Sequence, residues 1–253
     1  MGINLDKMKE KLNELESKGS GLNFYKPTEG QQDMIRLLPA DDGDPFVQKW
    51  MHYNVGKESF ECPHKMYGED CPVCGFVSKL WDEYNQTQDD ETRKAANNLK
   101  AKPRYYSLVM DREDEGRVMV WSYSKTVCQE LVNIVLNPDY GDITDPQTGN
   151  DMRISSSKKA KAIYATVDLQ PRPIKTALLE SQDAIDDMMA TAPDVHSITT
   201  RKSFDEIKDA LQSYFNQIDV GELETSNTEK FKANEEVDID NMFNELNAEL
   251  SDG

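Results

Sequence analysis

Cys62, Cys71 and Cys74 follow the spacing C-x8-C-x2-C, with His52 and His64 close by in the chain. Two thiolates separated by two residues can grip one ion from a single tight turn, and a more distant Cys and a His complete a tetrahedron. A thiolate-rich set of four leaves no position open for water or substrate, so the chemistry expected is one structural Zn2+. Each ligand must lose its proton to bind, which couples metal binding to folding of the loop. Residues 54 to 72 hold few apolar side chains and have little else to order them. Spacing alone leaves His52 and His64 both open as the fourth ligand. Cys128 lies in the apolar helical pattern TVCQELVNIV and reads as a buried hydrophobe. The string Cys71-Pro72-Val73-Cys74 also fits a redox C-P-x-C, but that motif expects a βαβ context and no third cysteine nearby. A zinc deaminase requires H-x-E and P-C-x-x-C, whereas Asp70 precedes Cys71 and neither histidine begins H-x-E. No general base stands beside an open metal position, so the chain reads as a non-enzyme.

A second kind of chemistry comes from cations interleaved with rings: Phe76, Trp81, Tyr84, Lys100, Lys102, Arg104, Tyr105, Tyr106, Trp121, Tyr123 and Lys125. Single-strand binding needs this mixture, because cations follow phosphates and flat rings stack any base. In the strand pattern around 104–110, Arg104, Tyr106 and Leu108 face one way and Tyr105 and Ser107 the other. One of the two tyrosines is therefore expected in the core and the other at the surface. Strands favour aromatics in any case, so core packing is the competing reading of each ring.

The formal net charge of −18 argues at first against a nucleic-acid partner, yet the charge is unevenly placed. Residues 93–125 hold eight basic and four acidic side chains, and residues 152–176 hold six and one. Residues 177–253 hold five and nineteen. Two basic islands thus sit in an acidic chain whose last third carries most of the excess. No apolar run approaches the length of a membrane span, and MGINLDKMKEKL lacks the apolar stretch of a secretory signal. A cytosolic protein is expected, in which clustered cysteines bind metal more readily than they form disulfides.

The elements needed to place these groups follow from periodicity. Leu5, Met8, Leu12 and Leu15 mark an amphipathic helix over 4–18, closed by Gly19-Ser20-Gly21. Strands are expected at 33–38, 46–53, 104–110, 117–123 and about 160–169. Helices are expected through Val77 to Tyr84, Asp90 to Leu99, about 125–136, 174–190 and 203–217, with a cysteine-rich loop at 60–75. From Gly221 to Glu236 the chain reads as a disordered linker. Beyond it Ile239, Met242, Phe243, Leu246 and Leu250 share one helical face among acids. The pattern is α+β: a small mixed-sheet core with peripheral helices, a metal loop and two detachable ends.

Taken in order, IRLLPADDGDPF, His52, Cys62, DCPVC at 70–74, FVSK at 76–79, KAKPRYY, EGRVMVWSY and the acidic end resemble the helix-destabilising single-stranded DNA-binding proteins of T-even-type bacteriophages. The resemblance implies an OB-fold-like β-barrel core over 22–220 with a zinc subdomain at about 50–85. It implies a structural zinc held by His52, Cys62, Cys71 and Cys74, choosing His52 over His64. It implies an N-terminal arm (1–21) for cooperative self-association and an acidic tail (221–253) that binds replication, recombination and repair proteins and can occlude the cationic cleft. By position, Phe76, Tyr84, Tyr105 and Trp121 fall where the family has DNA-facing aromatics, and Lys100 and Lys102 in its basic stretch. The setting implied is the cytoplasm of an infected host cell, with no membrane partner. The alternative is a zinc-stabilised protein-interaction adaptor without direct DNA binding.

Overall fold

The structure is a computed structural model, and it describes residues 22–221 apart from 41, 115, 159, 161–164 and 200. The expected arm helix, the acidic tail and its apolar face at Ile239 to Leu250 lie outside the described residues. Among the described residues the chain is mixed α+β, with eight strands and six α-helices. In order these are β1 (Phe24–Tyr25), β2 (Gln32–Leu37), β3 (Val47–Val55), β4 (Glu58–Glu61), α1 (Pro63–Tyr67), α2 (Pro72–Thr87), α3 (Asp90–Leu99), β5 (Lys102–Asp111), β6 (Val118–Tyr123), α4 (Lys125–Val135), β7 (Asn150–Ser157), β8 (Thr166–Lys175), α5 (Gln182–Ala190) and α6 (Phe204–Gly221). The strands follow the path β1-β6-β5-β2-β7-β8, with β3 pairing β5 and β4. Two compact units divide the chain. A sheet unit runs to Lys49 and resumes over Pro103–Ile198, and a clamp unit spans Trp50–Lys102 and the chain from Thr199.

In the sheet unit β5 lies antiparallel to β6, from Tyr105↔Tyr123 to Met110↔Val118, and antiparallel to β2. Strand β2 pairs in turn with β7, and β7 with β8, both antiparallel, while the short β1 joins β6 in parallel. Both faces of this sheet are covered. Ile35, Leu37, Val109, Trp121 and Tyr123 pack with Val127, Cys128 and Leu131 of α4 on one side. On the other, Tyr106 and Val120 meet Val195, and Met110 and Leu38 meet Leu178, Ile185 and Met188. Of the strand expected at about 160–169, residues 161–164 lie outside the described residues and 166–169 open β8, which runs on to Lys175. The helix expected from 174 is corrected: α5 begins only at Gln182, and β7 is a strand the periodicity did not mark. Pro171 and Pro173 lie in β8, which ends the strand path, where a missing N–H costs no ladder bond.

In the clamp unit, β3 and β4 form a hairpin whose turn residues, Gly56 and Lys57, both have positive φ (59° and 71°). That is the two-residue turn whose twist matches the flanking strands. Val55, Phe60, Val73, Val77, Leu80, Ala96 and Leu99 bury against Ile207, Ala210 and Leu211 of α6. A Cβ added at Gly56 would stand 2.4 Å from the Ala210 carbonyl oxygen and 2.9 Å from Ser213 Cβ. Gly56→Ala therefore forces strained φ and pushes α6 off the hairpin. The expected cost is about 2 kcal/mol, read as a lower urea midpoint, and a midpoint unchanged from wild type would contradict this packing.

Candidate metal centre and nucleic-acid interface

Three elements of the clamp unit bring four side chains to one point. His52 comes from β3, Cys62 caps α1, and Cys71 and Cys74 sit at the cap and first turn of α2. Pro72 at the first helical position starts α2 immediately after Cys71. The Cys62 sulfur accepts the Lys65 backbone N–H at 3.4 Å, and Gly68, at φ 72°, closes α1 one turn later. The expected loop at 60–75 is thus two helix starts, each opening on a cysteine. Helix N-termini carry partial positive charge and favour thiolates.

The ligand atoms of His52, Cys62, Cys71 and Cys74 all lie within 4.8 Å of one another. Cys62 Sγ is 3.3 Å from Cys74 Sγ, and His52 Nε2 is 3.4 Å from Cys71 Sγ and 3.6 Å from Cys74 Sγ. A tetrahedron with metal–sulfur bonds of about 2.3 Å and a metal–nitrogen bond of about 2.0 Å has edges of about 3.5–3.8 Å. The donor set fits such an ion, whereas a disulfide needs sulfurs about 2.05 Å apart. His52 is fully buried, and its Nδ1 lies 2.8 Å from the Leu99 carbonyl oxygen. That partner keeps the proton on Nδ1 and aims the Nε2 lone pair at the sulfurs, the usual second contact of a metal-ligating histidine. His64, by contrast, is exposed on α1. Burial opposes a charged His52 ring, but its hydrogen bonds to Cys62 and Cys71 outweigh this and raise its pKa to about 9. Hydrogen bonds from Cys71 and Cys74 draw the Cys62 thiol far below its ordinary value, while contact with Cys62 and Cys71 drives Cys74 far above it. Cys62 is thus the donor that most readily carries negative charge where a cation would bind. Cys128 is buried in the sheet unit, apart from this set.

The candidate DNA-binding residues separate by burial. Trp121 (1% exposed), Tyr123 (3%) and Tyr106 (6%) are core residues. Trp121 meets Tyr25 edge-on at 5.9 Å, and Tyr123 shares a 2.6 Å hydrogen bond with Ser107. Their burial matches the core-packing reading of each ring: with both sheet faces covered, alternate side chains on a strand are buried whichever way they point. Tyr105 keeps part of its ring exposed, stacked on Tyr123 at 6.3 Å and 13°. Arg104 is half-buried and donates to the Ser122 hydroxyl and carbonyl oxygens at 2.7 and 2.8 Å. Lys125 is exposed at the start of α4.

In the clamp unit, Tyr84 is half-buried and meets Trp81 edge-on at 5.8 Å. Phe76 packs edge-on against Phe215 at 5.0 Å. Lys102 is half-buried, and Lys100 is exposed and donates to Asn97 Oδ1. In the second basic island Lys158 and Lys175 are exposed and Arg153 is half-buried, while Lys159 and Lys161 lie outside the described residues. Sequence reasoning missed two groups. One is the ion cluster of the buried Arg36 and Asp151 with the half-buried Arg112. The other is the pair Gln129 and Asn133, whose four-residue spacing on a helix was the available signal.

The described residues make this a mixed α+β protein whose closed Cys3His set could hold a metal ion, with cations and partly exposed rings on each unit. A family model described as gp32 DNA binding protein like matches residues 29–218, and the chain belongs to that family. The match bears out the resemblance to the single-stranded DNA-binding proteins of T-even-type bacteriophages. No curated protein matches the chain. No helix among the described residues is long and apolar enough to cross a membrane.

Proposed function

We propose that the chain binds single-stranded DNA without sequence preference and acts as a coating protein in phage DNA replication, recombination and repair. The family match over residues 29–218 carries the reading. In this reading the Cys3His set holds one structural zinc, its thiolate-rich donors and buried histidine suiting that ion better than hard cations. When bound, the ion supplies cross-linking of β3, α1 and α2 rather than catalysis, and the protein is not an enzyme. Lys100, Lys102, Arg104 and Lys125 neutralise phosphates, and Phe76, Tyr84 and Tyr105 offer ring surface for bases. The core is OB-fold-like, a reading supported by the short antiparallel strands packed against α4. Residues 1–21 form a self-association arm that makes binding cooperative. Residues 221–253 form an acidic tail that competes with DNA for the cationic surface and presents Ile239, Met242, Phe243, Leu246 and Leu250 to partner proteins. The place of action is the cytoplasm of the infected host.

The test is a titration of full-length protein with mixed-sequence oligonucleotide over a range of salt, with and without a chelator. The logarithm of the association constant is expected to fall linearly with the logarithm of salt, with slope about −0.7 per phosphate neutralised. Ending the chain near Val220 is expected to tighten binding most at low salt. Failure of either form to bind would sink the DNA reading and leave the interaction adaptor, whose intrinsic fluorescence would ignore added DNA.

A further inference from the structure

Six residues of the sheet unit enclose an open hollow of about 470 Å³: Tyr105, Lys125, Cys128, Gln129, Val132 and Asn133. Five of them lie on α4 at positions i, i+3, i+4, i+7 and i+8, one stripe of a helix. Each kind of side chain in the stripe suits a different part of a nucleotide. Lys125 puts an ammonium at the first turn, where the positive end of the helix dipole adds to it. Cys128 is buried beneath and Val132 gives an apolar wall. The exposed carboxamides of Gln129 and Asn133 have no hydrogen-bond partner among the described residues. Across the hollow, the Tyr105 ring is held flat by its stack on Tyr123.

We infer that this hollow seats one nucleotide of the bound strand: the base stacks on Tyr105, its Watson–Crick edge meets Gln129 and Asn133, and a flanking phosphate lies by Lys125. The inference rests on the single-stranded DNA reading above and adds hydrogen bonding to it. In a single strand that edge is free for side chains. A carboxamide presents one donor face and one acceptor face and can be turned about its last torsion. Every base offers a neighbouring donor and acceptor on its edge, so two rotatable amides can serve all four. The site then rewards a hydrogen-bonding base over none without choosing among sequences.

The experiment compares full-length protein on oligothymidylate and on the same oligomer carrying difluorotoluene, a thymine shape mimic with almost no hydrogen bonding. Wild type is expected to bind the thymine strand about fivefold tighter, the size of one or two net hydrogen bonds. Gln129→Ala with Asn133→Ala should bring the two affinities together. Both residues are surface positions, so the fold is expected to persist, which far-ultraviolet circular dichroism checks. Tyr105→Ala should weaken binding to both oligomers about tenfold, since stacking does not depend on the edge. Lys125→Gln should leave the thymine preference intact and reduce the salt slope by about 0.7. If the doubly substituted protein kept the wild-type preference, the amides would not touch the base and the inference would fall with DNA binding intact. If wild type bound neither oligomer, the DNA reading itself would fall.

Discussion

Replacing Cys74 by Ser is expected to unfold the clamp unit at temperatures where wild-type protein is intact. The four ligands come from β3, α1 and α2, so the ion would join the hairpin to both helix starts at once. Structural zinc contributes apparent binding energies of about 10–16 kcal/mol near neutral pH in small domains. Removing one of four ligands forfeits enough of that to exceed the whole stability of a typical domain, about 5–15 kcal/mol. Cys71→Ser and Cys62→Ser should behave alike. His52→Ala should also expose the Leu99 carbonyl oxygen to loss of its partner at 2.8 Å. His64→Ala, on an exposed residue of the same segment, should leave the melting curve unchanged. Chelation of wild-type protein should reproduce the Cys74→Ser melting curve, and added zinc should restore it. Protons compete for the same lone pairs, with His52 holding its proton up to about pH 9 in the metal-free cluster. Zinc affinity should therefore rise with pH across this range. A Cys74→Ser protein that melted like wild type and retained zinc would remove the site from the fold.

The cluster of three cysteines was legible in the sequence because its signal is local: two cysteines two residues apart and a third nearby leave few alternatives. The choice between His52 and His64 was not legible from spacing, because it depends on β3 turning His52 inward and on Leu99, far along the chain, fixing its ring. Helix α3 appeared at its expected bounds, since its stripe of Thr92, Ala96 and Leu99 repeats at helical spacing. Strand β7 escaped because its signal is brief. Only Met152 and Ile154 alternate, and the polar Asn150 and Asp151 ahead of them read as a turn. The burial of Tyr106, Trp121 and Tyr123 was not legible for a related reason. Alternation says which side chains share a sheet face, but not whether that face is covered, and here α4 covers one face and Val195 with α5 the other.

Asp151→Ala is expected to be among the most destabilising substitutions in the sheet unit. Asp151 stands beside Arg36 across the β2–β7 pair, one step beyond Ile35↔Met152. Its Oδ1 receives Arg36 Nε at 3.0 Å and Arg112 Nε at 2.9 Å, and its Oδ2 receives the Thr176 hydroxyl at 3.2 Å. Arg172 lies 3.9 Å away. The Arg36 side chain is 0% exposed and that of Asp151 5%, so little solvent screens the group. Arg36 also donates to the carbonyl oxygens of Asp145 and Thr176, and Arg112 to those of Ala177 and Leu178. Asp151 thus holds together two guanidiniums that fasten the chain from 176 to 178 onto the sheet. Without the carboxylate the buried Arg36 faces the half-buried Arg112 with no anion between them, and removing one partner of a buried pair costs about 3–5 kcal/mol. Arg36→Met should cost less, about 1–3 kcal/mol, because Asp151 keeps Arg112 and the main loss is that of donors to buried carbonyls. Asp151→Asn, which keeps an acceptor of the same shape, should fall between the two. Urea denaturation of the three variants tests this order. An Arg36→Met protein less stable than Asp151→Ala would mean that the carbonyl contacts, and not the shared carboxylate, hold the cluster in place.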